Sequence, residues 1–190
     1  EAEGDVKNII FDVGQVLVSY DWEGYLKSFH FPAEEEKLIA EKVFKSQTWN
    51  ERDKGLLPEE EYLKKFIAAL PAEYEEDVKE VIAQSEKSVG IKDYAKTWTS
   101  YLKSQGYHLY VLSNYSQFML DHTRENKMPF LENMDGVVFS CEVKEIKPEP
   151  EIYKLLLSRY GLKAEESVFL DDREENCEAA RKLGIKAIQF

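Results

Sequence analysis

Apolar residues recur along the 190-residue chain in five short blocks rich in β-branched and aromatic side chains: NIIFDV (8–13), YHLYVLSN (107–114), GVVFSCEV (136–143), SVFLDD (167–172) and KAIQF (186–190). Runs of this length and composition predict strands. Helical spacing fills the gaps between the last four, over Gln117 to Lys127, Pro150 to Tyr160 and Arg173 to Leu183. Gly161 and Gly184 follow the second and third of these, where helices commonly end in a left-handed residue. Near-continuous apolar strands alternating with helices predict a parallel sheet covered on both faces. The expected fold class is α/β, a Rossmann-like parallel-sheet core assembled from residues 5–20 and 97–190.

Residues 21–96 follow a different pattern. PAEEEKLIAEKVFKSQTW, LPEEEYLKKFIAAL and PAEYEEDVKEVIAQSEKSV have helical periodicity and acidic faces, with no convincing strand. They predict a helical cap inserted after the first strand. Pro32, Pro58 and Pro71 are expected in first helical turns, each followed by acids that suit the positive helix end. The leading EAEG is polar and stays outside the fold argument. The sequence stops at Phe190 on the fifth strand, so one sheet face is expected to lack a covering helix there, a face that a partner subunit could cover. Oligomeric state is not fixed by the sequence.

Composition narrows the function. With 43% hydrophobic and 33% charged residues the chain reads as globular, and no stretch approaches the roughly 18–20 uninterrupted apolar residues of a membrane span. A net charge of −12 argues against nucleic-acid binding through phosphates, and an anionic substrate would need a local positive group. The two cysteines, Cys141 and Cys177, match neither a disulfide framework nor a zinc pattern. No secretory leader precedes the first strand, so a reducing cytoplasm is the expected location.

In open parallel α/β sheets, ligands bind beyond the carboxyl ends of the strands. Each of the first four predicted strands ends in chemistry: Asp12, then Ser113 and Asn114, then Lys147 in the following loop, then Asp171 and Asp172. Any one alone is an ordinary cap or turn former. Together they fit phosphoryl transfer. Carboxylates can hold Mg²⁺, one carboxylate can act as nucleophile, and Lys147 with the metal can offset the phosphoryl charge. Three aspartates, a divalent cation and Lys147 sum to zero formal charge.

The ordered set IIFDVGQVLV, VLSNYS, EIKPEPEIY and VFLDDREENCEAARKLGI resembles the four motifs of the haloacid dehalogenase (HAD) superfamily, most of all its glucose-1-phosphatase-like phosphatases with a helical C1-type cap. The resemblance covers nearly the whole chain, including WNERDKGLLPEEEYL in the insert. It implies a Mg²⁺-dependent phosphatase acting on a small-molecule phosphate ester, such as a hexose 1-phosphate, through an aspartyl-phosphate on Asp12. Asp12 would also ligate the metal, with the backbone carbonyl of Gly14 and with Asp172 and Asp171. Ser113 and Asn114 would hold the phosphoryl group, and Lys147 would hold nucleophile and phosphate together.

One position departs from the family pattern: a second Asp, acting as general acid and base, is replaced by Gly14. General acid–base help is worth roughly 10² to 10⁴ in rate. Three explanations follow: a substrate whose leaving group needs little protonation, another acid such as Asp21, or a slow or inactive phosphate-binding regulatory protein. A 2-haloacid dehalogenase would share the Asp12 nucleophile, but it has no need of the metal-binding pair Asp171–Asp172. A phosphorelay receiver domain would place its acid pair after the first strand, the reverse of the order here. In the insert, Asn50, Arg52, Asp53 and Lys54 beside Gly55 form the expected substrate-facing turn. Trp22, Tyr25, Phe29 and Phe31 could line a sugar-stacking face, although aromatics at helical spacing are more often core. His30, His108 and His122 share no ligand spacing.

Overall fold

The computed structural model describes residues 5–190, and the leading EAEG lies outside the described residues. Its main sheet has five parallel strands: β1 (Asn8–Phe11), β4 (His108–Ser113), β5 (Gly136–Phe139), β6 (Ser167–Asp171) and β7 (Lys186–Gln189), in the spatial order β5-β4-β1-β6-β7. β1 lies at the centre, in register with His108–Val111 on one side and Ser167–Leu170 on the other. Side-chain alternation then divides the strand residues between two layers. Ile9, Phe11, Leu109 and Val111 pack with Ala95 and Trp98 of α6 (Tyr94–Ser104) and Met119 and Leu120 of α7 (Gln117–Lys127). Ile10, Tyr110, Leu112 and Phe169 pack with Ile152, Tyr153 and Leu156 of α9 (Pro150–Tyr160) and Ala180 of α10 (Glu174–Lys182). Wholly buried side chains such as Phe11 and Phe169 each contribute roughly 1.5–3 kcal/mol by leaving water. Gly161 ends α9 at φ 62°, a conformation that favours glycine.

The insert has its own core. α1 (Trp22–Lys27), α2 (Ala33–Ile39), a π turn over Ala40–Phe44, α3 (Gln47–Arg52), α4 (Glu59–Ala68) and α5 (Glu75–Ala83) enclose Leu26, Ile39, Val43, Phe66, Val78 and Val81. Pro32 and Pro58 stand just before α2 and α4 rather than inside their first turns, and three glutamates follow each at the positive helix end.

Three features differ from the expected pattern. The insert does contain a strand: β3 (Val89–Ile91) pairs antiparallel with β2 (Val18–Tyr20), forming a ribbon through which the chain leaves and re-enters the core. Gly90 allows the close approach there, since a Cβ would sit 2.5 Å from Ser19 Oγ. The boundary expected at residues 96–97 falls within α6, whose Ala95 and Trp98 pack on the main sheet. Finally, the block 136–143 is a strand only to Phe139. Ser140–Val143 turns into a short helix, α8, where the Ser140 hydroxyl accepts from Tyr115 N at 2.9 Å.

Candidate active site

The carboxyl ends of β1, β4 and β6 bring Asp12, Gly14, Asn114, Lys147 and Asp172 to the wall of one cavity of about 630 Å³ between sheet and insert, while Ser113 and Asp171 are wholly buried behind that wall. Lys147 occupies the centre of the floor. Its Nζ lies 3.0 Å from Asp12 Oδ1 and 2.7 Å from Asp171 Oδ2, and it donates to Leu112 O at 2.9 Å. Burial alone would lower its pKa, but Asp12 and Asp171 outweigh that and raise it, so it stays charged.

Asp12, Asp171 and Asp172 can each offer an oxygen within 4.8 Å of the others. Such crowding in a buried place disfavours ionisation. Burial, with Asp171 and Asp172 adding to it against Lys147, pushes Asp12 up to about 7. Burial and Asp171 likewise raise Asp172. Asp171 is wholly buried and already engaged: Oδ2 also accepts from Asn176 Nδ2 at 3.1 Å, and Oδ1 accepts from Arg173 N at 2.8 Å. Three hard oxygen donors with one lysine leave negative charge uncompensated, an arrangement that fits a hard divalent cation such as Mg²⁺. Ser113 Oγ is buried without a hydrogen-bond partner among the described residues.

Asn114 has a role that strand-end reasoning missed. Its side chain makes two hydrogen bonds to the backbone of Lys147, so its amide group is committed to positioning. Asn176, which orients Asp171, was also missed. Only its place five residues after that aspartate, on the next helix, signals the role.

The insert supplies the roof, through Trp22, Phe44, Trp49, Asn50 and Asp53. Trp22 stacks on Phe44 with centroids 5.0 Å apart, so it serves both the insert core and the cavity wall. Tyr25, Phe29 and Phe31 belong to the insert core. The expected substrate-facing turn divides. Arg52 is buried away from the cavity in a two-bond pair with Glu59, at 3.0 and 2.5 Å, and Lys54 pairs with Glu149 at 3.5 Å. Asn50 and Asp53 do face the cavity. Burial pushes Asp53 up to about 7, against Arg52, Arg173 and Lys147. Asp21 lines the rim, but its Oδ1 accepts from Gly24 N at 2.9 Å and caps α1. None of the three histidines lines the cavity. Both cysteines are buried and unpaired. Among the described residues no helix is long and apolar enough to cross a membrane.

Comparison with known proteins places this arrangement among characterised chains. The family described as haloacid dehalogenase-like hydrolase matches residues 6–184. The chain is 25% identical over 194 residues to D-ribitol-5-phosphate phosphatase of Bacteroides thetaiotaomicron, covering 97% of this chain and 91% of that one. It superposes with a TM-score of 0.79 on a HAD family enzyme of the same organism in complex with magnesium and inorganic phosphate, at 26% identity over 96% of this chain and 93% of that one. A phosphorylated carbohydrates phosphatase of Thermotoga maritima is 37% identical over 65 residues, 34% of this chain and 30% of that one.

Proposed function

Because the chain belongs to the haloacid dehalogenase-like hydrolase family, we propose that it is a Mg²⁺-dependent phosphatase that cleaves a small phosphorylated sugar or sugar alcohol through Asp12. The observation that carries this reading is the buried floor, where Lys147 touches both Asp12 and Asp171 beside the unpartnered Ser113 hydroxyl. The magnesium and phosphate bound in the similar enzyme support it, as do the substrate classes in the names of its relatives.

In this mechanism Asp12, Asp172 and Asp171, with the Gly14 carbonyl, would hold Mg²⁺. The bound cation would neutralise part of the phosphoryl charge and keep Asp12 ionised. Lys147 pairs with Asp12 and presents its charge to the phosphoryl oxygens. Ser113 Oγ and the backbone N–H of Asn114 donate to those oxygens. An Asp12 oxygen attacks phosphorus, the bond to the substrate oxygen breaks, and water then cleaves the aspartyl-phosphate to release inorganic phosphate. Trp22, Trp49 and Asn50 give the roof a mixture of aromatic and amide surface, suited to a carbohydrate's apolar faces and hydroxyls. The metal-holding pair, which halide displacement does not require, sets this reading above a dehalogenase.

The test is phosphate release from a panel of hexose 1-phosphates, hexose 6-phosphates and D-ribitol 5-phosphate, with Mg²⁺ and with EDTA. Turnover is expected only with Mg²⁺, and Asp12→Asn should abolish it. Equal turnover by Asp12→Asn and the parent would overturn the proposal.

A further inference from the structure

Residue 14 leaves the reaction without a proton donor on the floor of the site. A Cβ placed on Gly14 would meet no atom within 4 Å, so the space a side chain would occupy is open. Gly14 also walls a small recess of about 110 Å³, with Tyr20, Trp49, Asp53, Asn114 and Tyr115 among others. Asp53 and Gly14 therefore share the walls of both the main cavity and this recess.

Resting on the phosphatase reading above, we infer that Asp53, carried by the insert, donates the proton to the leaving oxygen in place of the carboxylate missing at residue 14. In-line displacement puts the leaving oxygen on the far side of phosphorus from the Asp12 nucleophile. Asp12 is on the floor, so the leaving oxygen faces the roof, where Asp53 stands. The step balances: Asp12 bonds to phosphorus, the phosphorus–oxygen bond to the alcohol breaks, and the alcohol oxygen takes the Asp53 proton. Asp53, now a carboxylate, accepts a proton from the water that attacks the aspartyl-phosphate, and Asp12 leaves as carboxylate.

Of the other acids around the cavity, Glu23 is exposed to solvent in the first turn of α1, and the rest are engaged. Asp21 caps α1, Asp171 is held by Lys147, Asn176 and the Arg173 amide, and Glu175 pairs with Arg173 at 3.5 Å on the exposed rim. The Asp53 carboxylate makes no hydrogen bond or ion pair with another described residue, whereas its backbone is firmly placed. Its carbonyl accepts from Ser140 Oγ at 2.6 Å, and two residues on, Gly55 O accepts from Lys144 Nζ at 2.6 Å. The burial that raises Asp53 also suits a group that must carry a proton near neutral pH. A roof acid removes the need for an unusually good leaving group, so primary phosphate esters come within the substrate range.

The experiment compares first-turnover alcohol release from D-ribitol 5-phosphate and 4-nitrophenyl phosphate, with Mg²⁺, in the parent, in Asp53→Asn and in Asp53→Asn combined with Gly14→Asp. Asp53→Asn should slow release from the ribitol ester on the order of 10²-fold or more. The burst of 4-nitrophenolate, whose departure needs no proton, should stay close to the parent's. Gly14→Asp should return ribitol ester cleavage to the Asp53→Asn protein. Equal losses on both substrates, no loss on the ribitol ester, or a double variant no faster than the single one would each overturn the inference. As a check independent of the variants, the parent's kcat/KM should depend only weakly on leaving-group pKa across a series of phosphate esters, and a steep dependence overturns the inference. A parent inactive on every ester with Mg²⁺ defeats the phosphatase reading itself, and the role of Asp53 with it.

Discussion

The Asn114 side chain grips both backbone polar groups of Lys147: Lys147 N donates to Asn114 Oδ1 at 2.8 Å, and Asn114 Nδ2 donates to Lys147 O at 2.9 Å. Lys147 lies in a loop, so this pairing fixes where its chain starts before the ammonium reaches Asp12 and Asp171. Asn114→Ala removes both bonds. A misplacement of the ammonium by about 1 Å can cost on the order of 10²-fold in rate. The expected outcome is a loss of that order in kcat with a smaller change in KM, checked by steady-state kinetics with Mg²⁺.

Ser113 gives the opposite balance of stability and function. A buried hydroxyl without a partner costs about 1–3 kcal/mol. Ser113→Ala should therefore melt at the parent's temperature or above it, while its affinity for inorganic phosphate and its kcat fall. Calorimetry and phosphate titration check the two halves, and a lower melting temperature would contradict the expectation.

Magnesium should stabilise the fold by mass action if, as proposed, it is held by the native arrangement of Asp12, Asp171 and Asp172. With Asp12 pushed up to about 7, protons compete with the cation below that pH. The rise in Tm caused by Mg²⁺ should thus be larger at about pH 8 than at about pH 6. Asp172→Ala should remove most of it at both.

Glu35 in the insert offers a pH test independent of catalysis. Burial, then Asp77, pushes it up from an ordinary 4.5 to about 7, and its Oε1 is buried without a partner. A carboxyl raised on folding binds its proton more tightly in the native state. Its contribution is fully present below about pH 4.5 and is lost as pH rises through about 7. Glu35→Gln should match the parent's Tm in acid and exceed it above neutrality. A constant difference across pH would assign the effect to packing instead.

The main sheet was legible because its strands are apolar on both sides, which leaves the same mark at residues 8–11, 108–113 and 167–171. The helices Gln117–Lys127 and Pro150–Tyr160 were legible to the residue, from spacing and from Gly161. Three-residue strands give periodicity nothing to act on, so the ribbon of β2 and β3 was hidden, and Val89 read as part of a helix. Ser140 to Val143 were hidden for another reason: the run is apolar enough for a strand, and the contacts of Ser140 Oγ are with residues distant in sequence, Tyr115 and Asp53. Strand ends revealed the floor, because the chain order of a parallel sheet places them together. The roof depends on how the insert docks, which local sequence does not encode. Arg52 and Asp53 are adjacent in sequence, yet one is buried against Glu59 and the other faces the cavity.

The β2–β3 ribbon joins insert to core through only three residue pairs, Val18 with Ile91, Ser19 with Gly90 and Tyr20 with Val89. Nothing in the register of the five-stranded sheet passes through it. The acids proposed as nucleophile and metal ligands are therefore held by the core alone, and an insert of different sequence could sit on the same core wherever the ribbon and a few polar contacts, such as Ser140 Oγ to Asp53 O and Lys144 Nζ to Gly55 O, are kept. A proton donor carried by the insert limits that freedom. A transplanted insert would carry part of the chemistry with it, and a chimaera lacking an acid at the place of Asp53 would need one restored at residue 14.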